Sequence, residues 1–99
     1  MHSAYPAVFF KEENGYSVIF PDFNYLATGG DSFIDAMKMA IDCLTGYLYY
    51  AEIDNEPVNE PSNINEITPE TIAKELNFSY EEALIHLVYA DIERFAKLQ

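Results

Sequence analysis

The chain has one cysteine, no tryptophan and only five basic residues. A single thiol, Cys43, excludes an internal disulfide framework and a cysteine-rich zinc site, and fits a reducing compartment. Five cations against 17 acidic residues give a formal net charge of −12. Such a chain repels phosphate backbones and anionic lipid, so direct binding to nucleic acid or to a membrane is not expected. No apolar run approaches the ~20 residues that a membrane helix needs. The start, MHSAYPAVFFKEE, lacks the basic segment, apolar run and small-residue cleavage site of a signal peptide. A cytoplasmic protein is expected.

What is present is a core. Hydrophobic residues make up 49% of the 99 positions and aromatics 15%, with eight Tyr and seven Phe. That is too apolar for a disordered chain, despite the charge. The length suits one domain over residues 1–99, without an appended module.

The first thirty residues read as strands. Ala4 to Lys11 is apolar on both parities, and Pro6 suits a strand start or an edge, because it has no N–H to donate to a ladder. Glu12-Glu13-Asn14-Gly15 reads as a turn in which Asn-Gly supplies positive φ. Tyr16 to Phe20 and Tyr25 to Thr28 follow, closed by Pro21-Asp22 and Gly29-Gly30. The spacing predicts a three-stranded antiparallel meander.

Asp31 or Ser32 then caps a helix over 32–53, with Asp35 placed as in a capping box. Phe33, Met37, Ala40, Ile41, Leu44, Leu48 and Ala51 form an apolar stripe at helical spacing, and Asp35, Lys38, Asp42 and Thr45 form the other side. Lys38 is spaced to pair with Asp35 and Asp42. Gly46 marks close packing or a kink within the helix. Glu56 to Thr68 is Pro- and Asn-rich loop. Thr68-Pro69 starts a short helix that stops near Asn77.

Residues 79–98 carry two signals. Ser79-x-x-Glu82 has capping-box form, while Leu84 to Tyr89 suits a buried strand.

The motifs that suggest chemistry have plainer explanations. Asp22, Asp31 and Asp91 are the positions from which a two-metal site could be built, but each fits a turn or a helix cap. His2 is terminal, and His86 lies in an apolar run with no nucleophile motif near it. Cys43 suits a half-buried structural thiol. Gly29-Gly30-Asp31 lacks both the glycine spacing and the cations of a phosphate cradle. Tyr47, Tyr49 and Tyr50 suit core or interface packing. No catalytic residue, metal ligand or cofactor site is assigned, and an enzyme is not expected.

Five segments in order resemble the HicB antitoxin family. They are Tyr5-Pro6-Ala7-Val8-Phe9, Glu12-Glu13-Asn14-Gly15-Tyr16, Phe20-Pro21-Asp22-Phe23, Thr28-Gly29-Gly30-Asp31-Ser32 and Glu56-Pro57-Val58 with Glu60-Pro61-Ser62. Ala90-Asp91-Ile92 resembles the family's strand end, followed by a helical stub. The resemblance implies an α+β fold, partly RNase H-like, with the main helix on the meander and a later C-terminal strand near Leu84–Ala90. Asn24-Tyr25 departs from the family's Pro-Gly, and Asn55 stands where Gly often ends the helix. Residues 63–80 read as an insertion.

The implied function is that of an antitoxin that sequesters and inhibits a small basic mRNA-interferase toxin of HicA type. The acidic balance agrees, because an acidic partner competes with phosphate for a basic face. The expected partner-binding residues are Asp22, Phe23, Asn24 and Tyr25, with the two aromatics exposed as anchors, together with Glu52, Asp54 and Glu56. A dimer or tetramer is expected from the aromatic surplus and the sheet edges. Two other readings stay open: a self-associating HicB-like regulator without a toxin, and a degenerate RNase H-type nuclease.

Overall fold

The computed structural model describes residues 3–97, so His2 lies outside it. The elements run β1 (Ala4–Glu12), β2 (Gly15–Phe20), β3 (Leu26–Gly30), α1 (Phe33–Ile53), α2 (Pro69–Leu76), β4 (Glu82–Tyr89) and α3 (Ile92–Lys97). Short 3-10 turns occupy Pro21–Phe23 and Ile64–Glu66. The strands form one antiparallel sheet in the order β3-β2-β1-β4.

The expected meander is present, with β3 lying slightly later in the chain than Tyr25 to Thr28. The first turn differs in detail: Glu12 pairs with Gly15, which places Glu13-Asn14 at the tip. Gly15 alone carries the positive φ, at 148°, and a Cβ there would stand 2.6 Å from the Gly30 carbonyl oxygen.

The weak alternation of β1 has a structural cause. Tyr5, Ala7 and Phe9 pack toward α1, while Val8 and Phe10 pack on the other side with Ile72 and Ala73 of α2. Phe78 and Tyr80 extend this second cluster, with ring centroids 4.8 and 5.0 Å from that of Phe10. A strand covered on both faces reads as continuously apolar. Each fully buried Phe or Val contributes about 1.5–3 kcal/mol of transfer free energy.

Ser32, rather than Asp31, caps α1: its Oγ accepts from the Asp35 N–H at 3.1 Å. Ala36, Ala40, Leu44, Leu48 and Ala51 are the buried face, and Phe33, Met37 and Ile41 flank it half-buried. Small side chains let the helix approach β3 closely; a Cβ on Gly30 would meet the Ala36 nitrogen at 2.4 Å. The reading of Thr45 as part of the exposed side is corrected. Thr45 is buried, and its hydroxyl accepts from the Asp91 N–H at 3.0 Å, which ties α1 to the start of α3. Lys38 forms no ion pair among the described residues, whose salt bridges are Lys11–Glu81 and Lys97–Glu93. The helix runs unbroken past Gly46, beside which the Phe95 ring packs.

The end of α1 follows from Asn55. It adopts φ 58°, the left-handed conformation that Asn tolerates, and so replaces the expected glycine. The Asn55 and Glu56 N–H groups donate back to Glu52 and Ala51 at 3.2 and 2.9 Å. Asn77 ends α2 in the same way, at φ 56°. Thr68 precedes Pro69 at the start of α2, but its side chain makes no capping bond.

The strand signal prevails over Ser79-x-x-Glu82. Glu82–Tyr89 pairs along its whole length with β1, from Lys11 opposite Glu82 to Ala4 opposite Tyr89. Local helix propensity yields to a ladder already templated by β1. α3 then starts after Asp91, whose carboxylate accepts from the Arg94 N–H at 3.2 Å. No helix among the described residues is long and apolar enough to cross a membrane.

Candidate partner-binding surface

The segment after β2 combines two features that the sequence set apart. Asp22 lies in the 3-10 turn and is buried, and its carboxylate holds Ser62 of the Pro-rich loop. One oxygen accepts from the Ser62 N–H at 2.9 Å, and the other accepts from the Ser62 hydroxyl. The Asp22 carbonyl accepts from the Asn59 side-chain amide at 2.6 Å, and the Tyr5 hydroxyl donates to the Asn59 carbonyl at 2.6 Å. Val58 packs into the core cluster below. The loop over 56–62 is therefore strapped to the sheet end. Burial, with the charges of Asp22 and Glu60 adding to it, raises the Tyr5 phenol above its ordinary range.

The expectation that Phe23 is an exposed anchor is corrected. It is only 5% exposed and packs on Tyr5 and Tyr47 with ring centroids 4.5 Å away in each case. The turn of Pro21–Phe23 reverses the chain so that the ring swings under the sheet end. Asp22 is likewise turned inward. Asn24 is exposed and Tyr25 half-exposed.

Asn24 and Tyr25 both have positive φ, 57° and 62°. Asn adopts this conformation readily, but Tyr does so at a cost of about 1–3 kcal/mol. Positive φ at Tyr25 is the geometry that glycine provides freely, so the departure from Pro-Gly retains a glycine-like backbone. The Tyr25 ring packs against the second cluster, and its hydroxyl donates to Glu75 of α2 at 2.5 Å. That bond, followed by desolvation and the Glu75 charge, raises the Tyr25 phenol.

Glu52, Asp54 and Glu56 are all exposed at the C-terminal end of α1, whose last turn holds no basic residue. A helix C-terminus is the negative end of the dipole, and carboxylates there oppose it. The expected site residues thus fall into two groups. Asp22 and Phe23 build the loop from inside, and Asn24, Glu52, Asp54 and Glu56 are exposed; Tyr25, expected as an exposed anchor, is instead half-buried with its ring against the second cluster.

The remaining candidates do not converge. Among the described residues no three His, Cys, Asp or Glu side chains are grouped to hold a metal ion. His86 is exposed on β4, against the rings of Phe9 and Phe33. Cys43 is half-buried, and burial pushes its thiol up, away from the reactive thiolate.

No family model matches the chain. Its sequence is similar to "Antitoxin HicB 2" of Photorhabdus laumondii, at 40% identity over 63 residues, which covers 63% of this chain and 45% of that protein. The fold is shared with a solved toxin–antitoxin complex from Streptococcus pneumoniae, at TM-score 0.79 and 24% identity, over 93% of this chain and 71% of that one. It is also shared with the N-terminal domain of the Burkholderia pseudomallei antitoxin HicB, at TM-score 0.65 and 24% identity, over 89% of this chain and 98% of that domain. The chain is HicB-like, with the α+β fold of HicB antitoxins. It spans less than half the length of the curated relatives that it matches.

Proposed function

We propose that this chain is an antitoxin module that binds a small basic HicA-type toxin and blocks its cleavage of RNA. The observation that carries the proposal is the acidic end of α1. Glu52, Asp54 and Glu56 are exposed where the helix dipole makes carboxylates unfavourable, with no cation in the last turn. A local rule broken in this way marks a surface kept for a partner. A basic toxin supplies the missing counter-charge, and its RNA-binding face is the surface on which acidic groups substitute for phosphate. Similarity to HicB antitoxins and the shared fold support the same role. Asn24 and Tyr25 contribute neighbouring contacts, and Asp22 and Phe23 act from beneath by shaping the loop.

The module acts by covering its partner and performs no catalysis. With a charge of −12 it does not bind duplex DNA or RNA on its own. The test is co-purification with a small basic HicA-type toxin, followed by RNA cleavage assays with and without the module. Stoichiometric suppression of cleavage supports the proposal; failure to associate at micromolar concentration removes it.

A self-associating regulator without a toxin is the second reading, and the β4 edge favours it. β4 ends the sheet and exposes Leu84, Leu87 and Tyr89. An open apolar edge of this kind pairs readily with a second copy, giving a dimer or, with a further interface, a tetramer.

A further inference from the structure

A groove of about 500 Å³ runs along the outer side of α1 between α3 and the start of β3. The Asp22 loop takes no part in it. Its apolar lining combines Leu26 and Ala51 with aromatic rings: Tyr47 and Tyr50 of α1 are 40% and 49% exposed, and Phe95 of α3 closes one side. The Tyr50 ring meets Phe95 edge-on, at 6.1 Å between centroids. Asp42, Asp54 and Glu56 bring three carboxylates to the same groove, and among the described residues no Lys or Arg lines it. Arg94 lies in the adjoining small cavity with Asp42, and it forms no ion pair among the described residues.

We infer that this groove receives an arginine side chain from the basic partner protein, an inference that rests on the toxin-binding reading above. An aliphatic or aromatic side chain would bury the carboxylates without a counter-charge, which is strongly unfavourable. An acidic one would be repelled. A guanidinium satisfies both halves of the lining: its flat face stacks on a tyrosine ring, and its edge donates in a fork to a carboxylate. Lysine presents a point charge and fills the slot less well. Two of the three carboxylates, Asp54 and Glu56, are the exposed acids at the end of α1, so the groove continues the proposed docking surface onto the helix side.

The test measures binding of the chain and its variants to a small basic HicA-type toxin. Tyr50→Leu keeps bulk but removes the ring face, and should weaken binding roughly three- to thirtyfold through faster dissociation. Tyr50→Phe should stay close to wild type. Asp54→Asn with Glu56→Gln should slow association and flatten its salt dependence. One arginine of the partner should lose the same factor on replacement by lysine, with no further loss in combination with Tyr50→Leu. Thermal midpoints confirm that each variant is folded. If wild type binds and all the variants match it, the groove assignment falls and the antitoxin function stands. If wild type does not bind, both fall. If Tyr50→Leu abolishes self-association while toxin affinity is unchanged, the occupant is a second copy and the assignment is wrong.

Discussion

The Asp22 carboxylate and Ser62, 40 residues apart, are joined by two hydrogen bonds, one from the backbone N–H and one from the hydroxyl. This pair closes the Pro-rich loop onto the turn that follows β2. Removing either partner leaves the other with unmet hydrogen bonds in a half-buried site. Asp22→Ala should destabilise the fold by about 1–3 kcal/mol, and Ser62→Ala by less, because its backbone N–H still donates. The double variant in urea unfolding should show a coupling of about 0.5–3 kcal/mol.

Phe23→Ala should act on folding before it acts on binding. The ring is buried between Tyr5, Phe20 and Tyr47, so truncation removes core contacts at about 3–5 kcal/mol. Denaturant midpoints check this. A wild-type midpoint would mean that the ring faces solvent after all.

Gly30→Ala tests the approach of α1 to the sheet. The new Cβ would meet backbone atoms of Asp35 and Ala36, within 2.4 to 2.8 Å. Backbone cannot move aside as a flexible side chain can, so a loss of about 1–3 kcal/mol is expected in the same measurement.

Alkaline pH should destabilise the protein through two phenols. Tyr5 and Tyr25 both titrate above the ordinary value of 10.0 in the folded chain, Tyr5 chiefly through burial and Tyr25 chiefly through its bond to Glu75. A raised folded-state value means that the folded chain holds its proton longer than the unfolded one. Their contribution is therefore complete below the unfolded value near 10 and is lost as pH rises through the folded values. Thermal midpoints should be level below that point and fall above it. Tyr5→Phe with Tyr25→Phe should flatten the fall.

Most of the fold was legible, because its signals are local. Ser32 with Asp35 sets the start of α1, and the turn residues around Gly15 and Pro21 separate the strands, whereas Gly29 and Gly30 lie within β3 instead of closing it. The two-faced apolar pattern of β1 was visible, but what covers its second face was not. That cover comes from Ile72, Ala73, Phe78 and Tyr80, distant in sequence and joined only by the sheet. Residues 82–89 read locally as helix as much as strand, and pairing with β1 decides between them. At the proposed site, the exposure of the acids ending α1 could be read directly, since surface charge needs no partner to be recognised. The inward turn of Phe23 could not. Its position depends on Tyr47 and Tyr5, contacts that no spacing in the sequence announces.

Charge reversal at the end of α1 tests the central claim most directly. Glu52→Lys, Asp54→Lys and Glu56→Lys together complement the helix dipole and should raise stability, by about 0.3–1 kcal/mol per charge at most. The same change removes the surface proposed to attract a basic toxin. The measurement is the association rate with a small basic HicA-type toxin, taken for wild type and the triple variant across a range of salt. The expected result is a variant that melts no earlier than wild type, associates at least about tenfold more slowly at low salt, and has lost most of its salt dependence. A variant that associates at the wild-type rate with the same salt dependence would contradict the claim that these carboxylates exist to meet a basic toxin.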